Sequence, residues 1–184
     1  MNSTSDPPLV RRAFNPILPA GASPNGRPAQ IPYDGRVRTI LFICTGNTCR
    51  SPMAEAIARS HYAGEAADLF FGSAGVATFD GLPPTAETVE ALHRLQIQHD
   101  GRSTSVTPDM LKKADLVLCM TASHLATTRK LVADDAESAA RMHLLDPDGD
   151  IPDPIGMGQA TYDEVAAQFQ RIIPARVDAL LAPA

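Results

Sequence analysis

A near-continuous apolar run over Val37, Ile40, Leu41, Phe42 and Ile43 stops abruptly at Cys44, and a helical pattern opens at Ser51 and Pro52. Such a run, without polar alternation, suits a strand buried on both faces in a parallel sheet. A strand that passes through a tight loop into a helix is the first half of a βαβ unit, so this one junction steers the chain towards an α/β fold. The loop between them reads Cys44-Thr-Gly-Asn-Thr-Cys-Arg50, with five residues enclosed by Cys44 and Arg50.

The rest of the chain repeats the alternation. Ser51 fits an N-cap, Pro52 the first helical position and Glu55 the first turn of a helix reaching about His61. Leu69 to Phe71 reads as a short second strand ended by Ser73-Ala-Gly75, and Thr85 to Leu95 as a helix with Val89, Leu92 and Leu95 on its apolar face. Pro108 to Lys113 predicts a short helix, and Leu116 to Cys119 a third buried strand. Ser123 to Val132 is helical, Ala139 to Leu144 a weaker fourth strand, and Asp146 to Gly158 a long loop. The last helix carries Val165, Phe169, Ile172, Ile173, Val177, Leu180 and Leu181 on one stripe, with Pro174 expected to kink or restart it. The expectation is a three-layer α/β sandwich, a four-stranded parallel sheet flanked by helices. Sites in such folds lie beyond the C-terminal ends of the strands, where both the Cys44 loop and the Asp146 to Gly158 loop fall.

Length and composition narrow the classes. At 184 residues there is room for one sizeable core, so residues 36–184 read as one domain and the Pro- and Gly-rich residues 1–35 as a tail. A net charge of −5 disfavours a nucleic-acid binder, which needs concentrated positive charge. No segment is long and apolar enough for a membrane span, and Pro7, Pro8, Pro16 and Pro19 interrupt any signal-peptide pattern, so a cytoplasmic protein is expected. Three cysteines, two of them in the loop, suggest reactivity in a reducing compartment rather than a disulfide framework.

The loop has the composition of an oxyanion cradle. Gly46 permits unusual dihedrals and Asn47 tolerates a left-handed one, so successive N–H groups can turn inward as an anion nest. The following helix aims its N-terminus there, and Arg50 adds a planar fork for two phosphoryl oxygens. A helix N-terminus and an Arg favour the thiolate of Cys44, and the Ser51 hydroxyl can donate to its sulfur. The expected chemistry is sulfur attack on phosphorus, with a phosphocysteine intermediate. A Walker loop would need a Lys followed by Ser or Thr, which is absent. Cys44 and Cys49 lack zinc-site spacing, so no metal and no cofactor are expected.

This run resembles the phosphate-binding signature of the low-molecular-weight protein tyrosine phosphatase family, and the order of elements from Val37 to Leu181 is similar. The resemblance implies a metal-free phosphatase acting on phosphorylated proteins. It makes Cys44 the nucleophile, Arg50 the transition-state clamp, Asn47 the loop-shaping residue and Ser51 the hydroxyl partner of the thiolate, with Thr45, Gly46, Thr48 and Cys49 completing the loop. Asp153, in Asp153-Pro154, matches the general acid; Asp146-Pro147 is the rival pair. Ser73 resembles a supporting hydroxyl, and His99 with Arg102 a His-x-x-Arg pair whose His buttresses the loop Asn. His124 has no partner in the sequence and reads as structural. Members that hydrolyse phosphoarginine resemble this chain at Thr48, whereas Ile155 stands where an aromatic usually follows the Asp-Pro.

Phosphoarginine is therefore expected to be cleaved better than phosphotyrosine. Cys49 could trap an oxidised Cys44 as a disulfide, or face the core instead. An arsenate reductase of related fold and a phosphopeptide-binding module are the alternatives, and a monomer or weak oligomer is expected.

Overall fold

The computed structural model describes residues 38–64 and 68–182. The expected tail over 1–35 lies outside them. The elements run β1 (Arg38–Cys44), α1 (Arg50–His61), β2 (Leu69–Gly75), α2 (Ala86–Arg94), α3 (Pro108–Lys113), β3 (Leu116–Cys119), α4 (Ala122–Leu131), α5 (Ala136–Ala140), β4 (Met142–Leu144) and α6 (Gln159–Leu181). All strand pairs are parallel and the sheet order is β2-β1-β3-β4, so the apolar run is an inner strand, as its lack of alternation predicts.

The pleat of β1 divides the core. Ile40, Phe42 and Cys44 face α1, α2 and α6, where Met53, Leu92, Tyr162, Phe169 and Ile173 are buried. Leu41 and Ile43 face the other way, with Val117, Leu111 and Val132, under α3, α4 and α5. Each large apolar side chain buried here contributes about 1.5–3 kcal/mol. The order of connections reverses between β1 and β3, and the crevice at the carboxyl ends of those two strands is where an open α/β sheet receives ligands.

Three expectations are corrected. Pro174 sits inside α6, which continues through it, so of the expected kink or restart the restart does not occur. The helix packs along its length on α1 and α2, and the Tyr62 hydroxyl donates to Asp178 Oδ1 at 2.8 Å, one turn beyond Pro174. Val89 is exposed, because Thr88, Ala91 and Leu92 form the buried face of α2. The first helix begins at Arg50, with Cys49 as its N-cap and no side-chain cap bond, so Ser51 lies inside the helix and its hydroxyl faces the Cys44 sulfur instead.

Candidate active site

Cys44 is the last residue of β1 and is 2% exposed. Its Sγ lies 3.0 Å from Ser51 Oγ and accepts the Asn47 N–H at 3.2 Å. The loop folds back over the sulfur because Asn47 takes φ of +52°, the left-handed conformation that its short polar side chain tolerates. Gly46 is not in that region, and a Cβ there would meet only Thr48 Oγ1 at an ordinary 3.5 Å. The turn therefore rests on Asn47, and Gly46 leaves the face of the loop bare.

The Asn47 amide is fully used. Its Nδ2 donates to Ser51 Oγ at 2.8 Å and Ser73 Oγ at 2.9 Å, and its Oδ1 accepts the Thr104 N–H at 2.8 Å. Ser73 in turn donates to Glu55 Oε2 at 2.7 Å. Since Ser51 Oγ accepts from Asn47, its own proton is left for an acceptor, and the nearest is the sulfur. A directed chain thus connects Cys44 to Glu55, which the sequence had suggested only for the helix turn.

His99 is not among the partners of Asn47, contrary to expectation. Its ring folds over its own loop, where a Cβ on Gly101 would come within 2.6 Å of Nε2. The buttress is the Thr104 backbone, carried by a segment that bridges Gly75 through Ser105. No side-chain pattern could announce it.

The far side of the loop is pinned to α2. The Thr48 carbonyl accepts the Thr85 N–H at 2.9 Å and the Thr88 hydroxyl at 3.1 Å. Cys49 is buried, and its Sγ lies 3.4 Å from Tyr162 OH and 3.8 Å from Thr85 Oγ1, facing α6 and α2. Burial, with the Cys49 thiol beside it, pushes the Tyr162 phenol up to about 12.

Arg50 is buried, and its fork is divided between two acceptors on the long loop: NH1 donates to the Ile151 carbonyl at 3.1 Å and NH2 to Asp153 Oδ2 at 2.6 Å. The Asp153 side chain is 49% exposed, open to solvent and to a substrate. The other acids of this loop have different duties. Asp146 accepts from the Asp148 N–H and from Gln168, and Asp150 accepts the Ala122 N–H at the start of α4. Of the two Asp-Pro pairs, only Asp153-Pro154 is brought to Arg50.

His124, read as structural, lies in the site. It is 5% exposed, with Nε2 2.8 Å from Thr45 Oγ1 and Nδ1 2.9 Å from Thr121 Oγ1. Burial and the Arg50 cation hold its pKa below the ordinary histidine value, against the opposing pull of Asp153 and Asp150.

Gly46, Thr48, Ala77, Thr78, Phe79 and Leu82 line a cavity of ≈ 470 Å³ beside the loop. Phe79 is 83% exposed there, an aromatic wall that the absence of one at Ile155 had hidden. Among the described residues there is no cluster of three or more His, Cys, Asp or Glu able to hold a metal, and no helix long and apolar enough to cross a membrane.

Known proteins resemble this chain in sequence and in fold. The sequence model of the low molecular weight phosphotyrosine protein phosphatase family matches residues 39–181. A protein-arginine-phosphatase of Bacillus subtilis is 32% identical over 140 residues, covering 73% of this chain and 91% of its own. A low molecular weight protein-tyrosine-phosphatase of Streptomyces coelicolor is 36% identical over 138 residues, 68% of this chain and 82% of its own. Among solved structures, a low molecular weight protein tyrosine phosphatase from T. tengcongensis superposes with a TM-score of 0.69 at 36% identity, covering 77% of this chain and 98% of that one.

Proposed function

The chain belongs to the low molecular weight phosphotyrosine protein phosphatase family and is a cysteine-dependent phosphatase of phosphorylated protein residues; from that premise we propose that it acts on phosphoarginine ahead of phosphotyrosine, with Cys44, Arg50 and Asp153 as its catalytic residues. The Cys44 sulfur attacks phosphorus as the bond from phosphorus to the leaving nitrogen or oxygen breaks, and Asp153 gives that atom its proton. The phosphoryl group is then held on sulfur. Asp153, now a carboxylate, takes a proton from water as the water attacks phosphorus, and the P–S bond breaks to return the thiolate and release phosphate. Arg50 and the loop N–H groups oppose the charge on the equatorial oxygens in both steps.

The observation that carries the catalytic assignment is the meeting of Asp153 with Arg50 directly beside the Cys44 loop. Substrate preference rests on Thr48, which lines the cavity; Ile155, an aliphatic after the Asp-Pro, fits neither the phosphoarginine nor the phosphotyrosine pattern. The small polar side chain of Thr48 suits a guanidinium and the attacking water. Phosphotyrosine is the second reading, favoured by Phe79, which offers an aromatic face in the same cavity. A relay through further thiols, as a reductase requires, is disfavoured by Cys119: it is fully buried in β3, and burial pushes its pKa up to about 11.

Turnover of p-nitrophenyl phosphate without metal tests the roles. Cys44→Ser is expected to lose at least about 10³-fold and Asp153→Asn about 10²-fold or more. Retained activity in Cys44→Ser would overturn the nucleophile. Values of kcat/KM on phosphoarginine and phosphotyrosine peptides test the preference, with Thr48→Ile expected to move the ratio towards phosphotyrosine.

A further inference from the structure

His124 is placed by α4, not by the phosphate loop, yet its ring closes on the loop's first residue after the nucleophile. Thr121 caps α4 by accepting the His124 N–H at 3.2 Å. A hydroxyl that accepts one bond still has its proton to give, and Nδ1 at 2.9 Å is in place to take it. Nε2 is then the protonated nitrogen and donates to Thr45 Oγ1 at 2.8 Å. Thr45, having accepted, keeps its own proton for another partner. Thr45 is exposed and stands one residue from Cys44.

We propose that His124 is a positioning residue for phosphoryl transfer: its imidazole, anchored by Thr121, holds the Thr45 hydroxyl so that the hydroxyl proton is directed to a phosphoryl oxygen of the bound substrate. The proposal rests on the phosphatase reading of the Cys44 loop. It also places the imidazole in the field of Arg50 from α1 and of Asp150 and Asp153 from the long loop. Burial and Arg50 keep the ring neutral at neutral pH, as this bonding pattern requires. When the ring gains a proton, Nδ1 becomes a donor, Thr121 must reverse its hydroxyl, and a second cation stands beside Arg50. Nε2 still donates to Thr45, but the Thr121 anchor is altered and the site acquires a charge that competes with Arg50 for Asp153.

The test is kcat/KM for p-nitrophenyl phosphate against pH, for wild type, His124→Gln, His124→Ala, Thr45→Val and the Thr45→Val/His124→Ala double variant. Losing a directed hydrogen bond is expected to lower the value roughly fivefold in His124→Ala and in Thr45→Val, with less than about a twofold further loss in the double variant. Gln, whose amide reaches the same oxygen and does not titrate, is expected to restore activity near neutrality and to shift the acid-side loss to lower pH. Losses that multiply in the double variant, or a His124→Gln profile that superposes on wild type, would overturn the proposal. Because these are ratios between variants, they remain readable whatever Cys44→Ser does in the same assay; persistent turnover there would instead count against the nucleophile.

Discussion

Asn47 concentrates several requirements in one residue. Its backbone accepts a positive φ, its N–H reaches the sulfur, and its amide ties Ser51, Ser73 and Thr104 together. Replacing it by Ala leaves the Thr104 N–H without its acceptor and puts a Cβ residue without compensation in the left-handed region. A loss of about 3 kcal/mol is expected, and Asn47→Gly should recover about 1 kcal/mol of it through the backbone alone, while neither restores activity. Urea unfolding of the two variants separates the terms, and equal stabilities would show that φ carries no part of the cost. Ser51 illustrates the same economy. Its sequence context suggests both an N-cap and a partner for sulfur, and the hydroxyl serves only the second.

At the level of elements, β2 limits the site from below. A Cβ on Gly75 would lie 2.6 Å from the Thr45 carbonyl oxygen and 3.2 Å from Asn47 Cβ, both on the phosphate loop. Backbone cannot yield there as a flexible side chain can. Gly75→Ala is therefore expected to displace the loop, costing about 1–3 kcal/mol in stability and roughly ten- to a hundredfold in kcat/KM. Gly149→Ala, with nothing within 4 Å of the added methyl, serves as the control and should leave both unchanged. Activity retained in Gly75→Ala would mean that the loop tolerates movement. The same contrast explains what was legible in advance. The strand, loop and helix around Cys44 are local in sequence, and periodicity and turn chemistry revealed them. The contacts of Thr104 with Asn47, and of His124 with Thr45, span 57 and 79 residues, and one uses a backbone N–H that has no signature of residue type. Asp153 reaches Arg50 across 103 residues; its Pro-restricted loop makes it one of two visible Asp-Pro candidates, and the family resemblance is what favours it over Asp146.

For the molecule as a whole, two histidines bear on stability. His124 and His143 both have pKa values held below the ordinary value: burial leads in each, with Arg50 adding to it at His124 and Arg176 and Arg129 at His143. The unfolded chain therefore binds protons that the folded one refuses as pH falls below about 6.5. Stability is expected to be full above that pH and to decline from it down through the lower folded-state values. Thermal unfolding between about pH 7.5 and 5 checks this, and His143→Gln should flatten part of the slope without touching the site. A Tm that rises on acidification over that range would contradict both assignments. The long loop brings a final consequence through the bond between Asp153 and Arg50. The Arg50 fork is already occupied by a carboxylate tethered to the same chain, at an effective concentration of about millimolar order. A phosphoryl group that used this fork would have to displace a partner belonging to the chain itself.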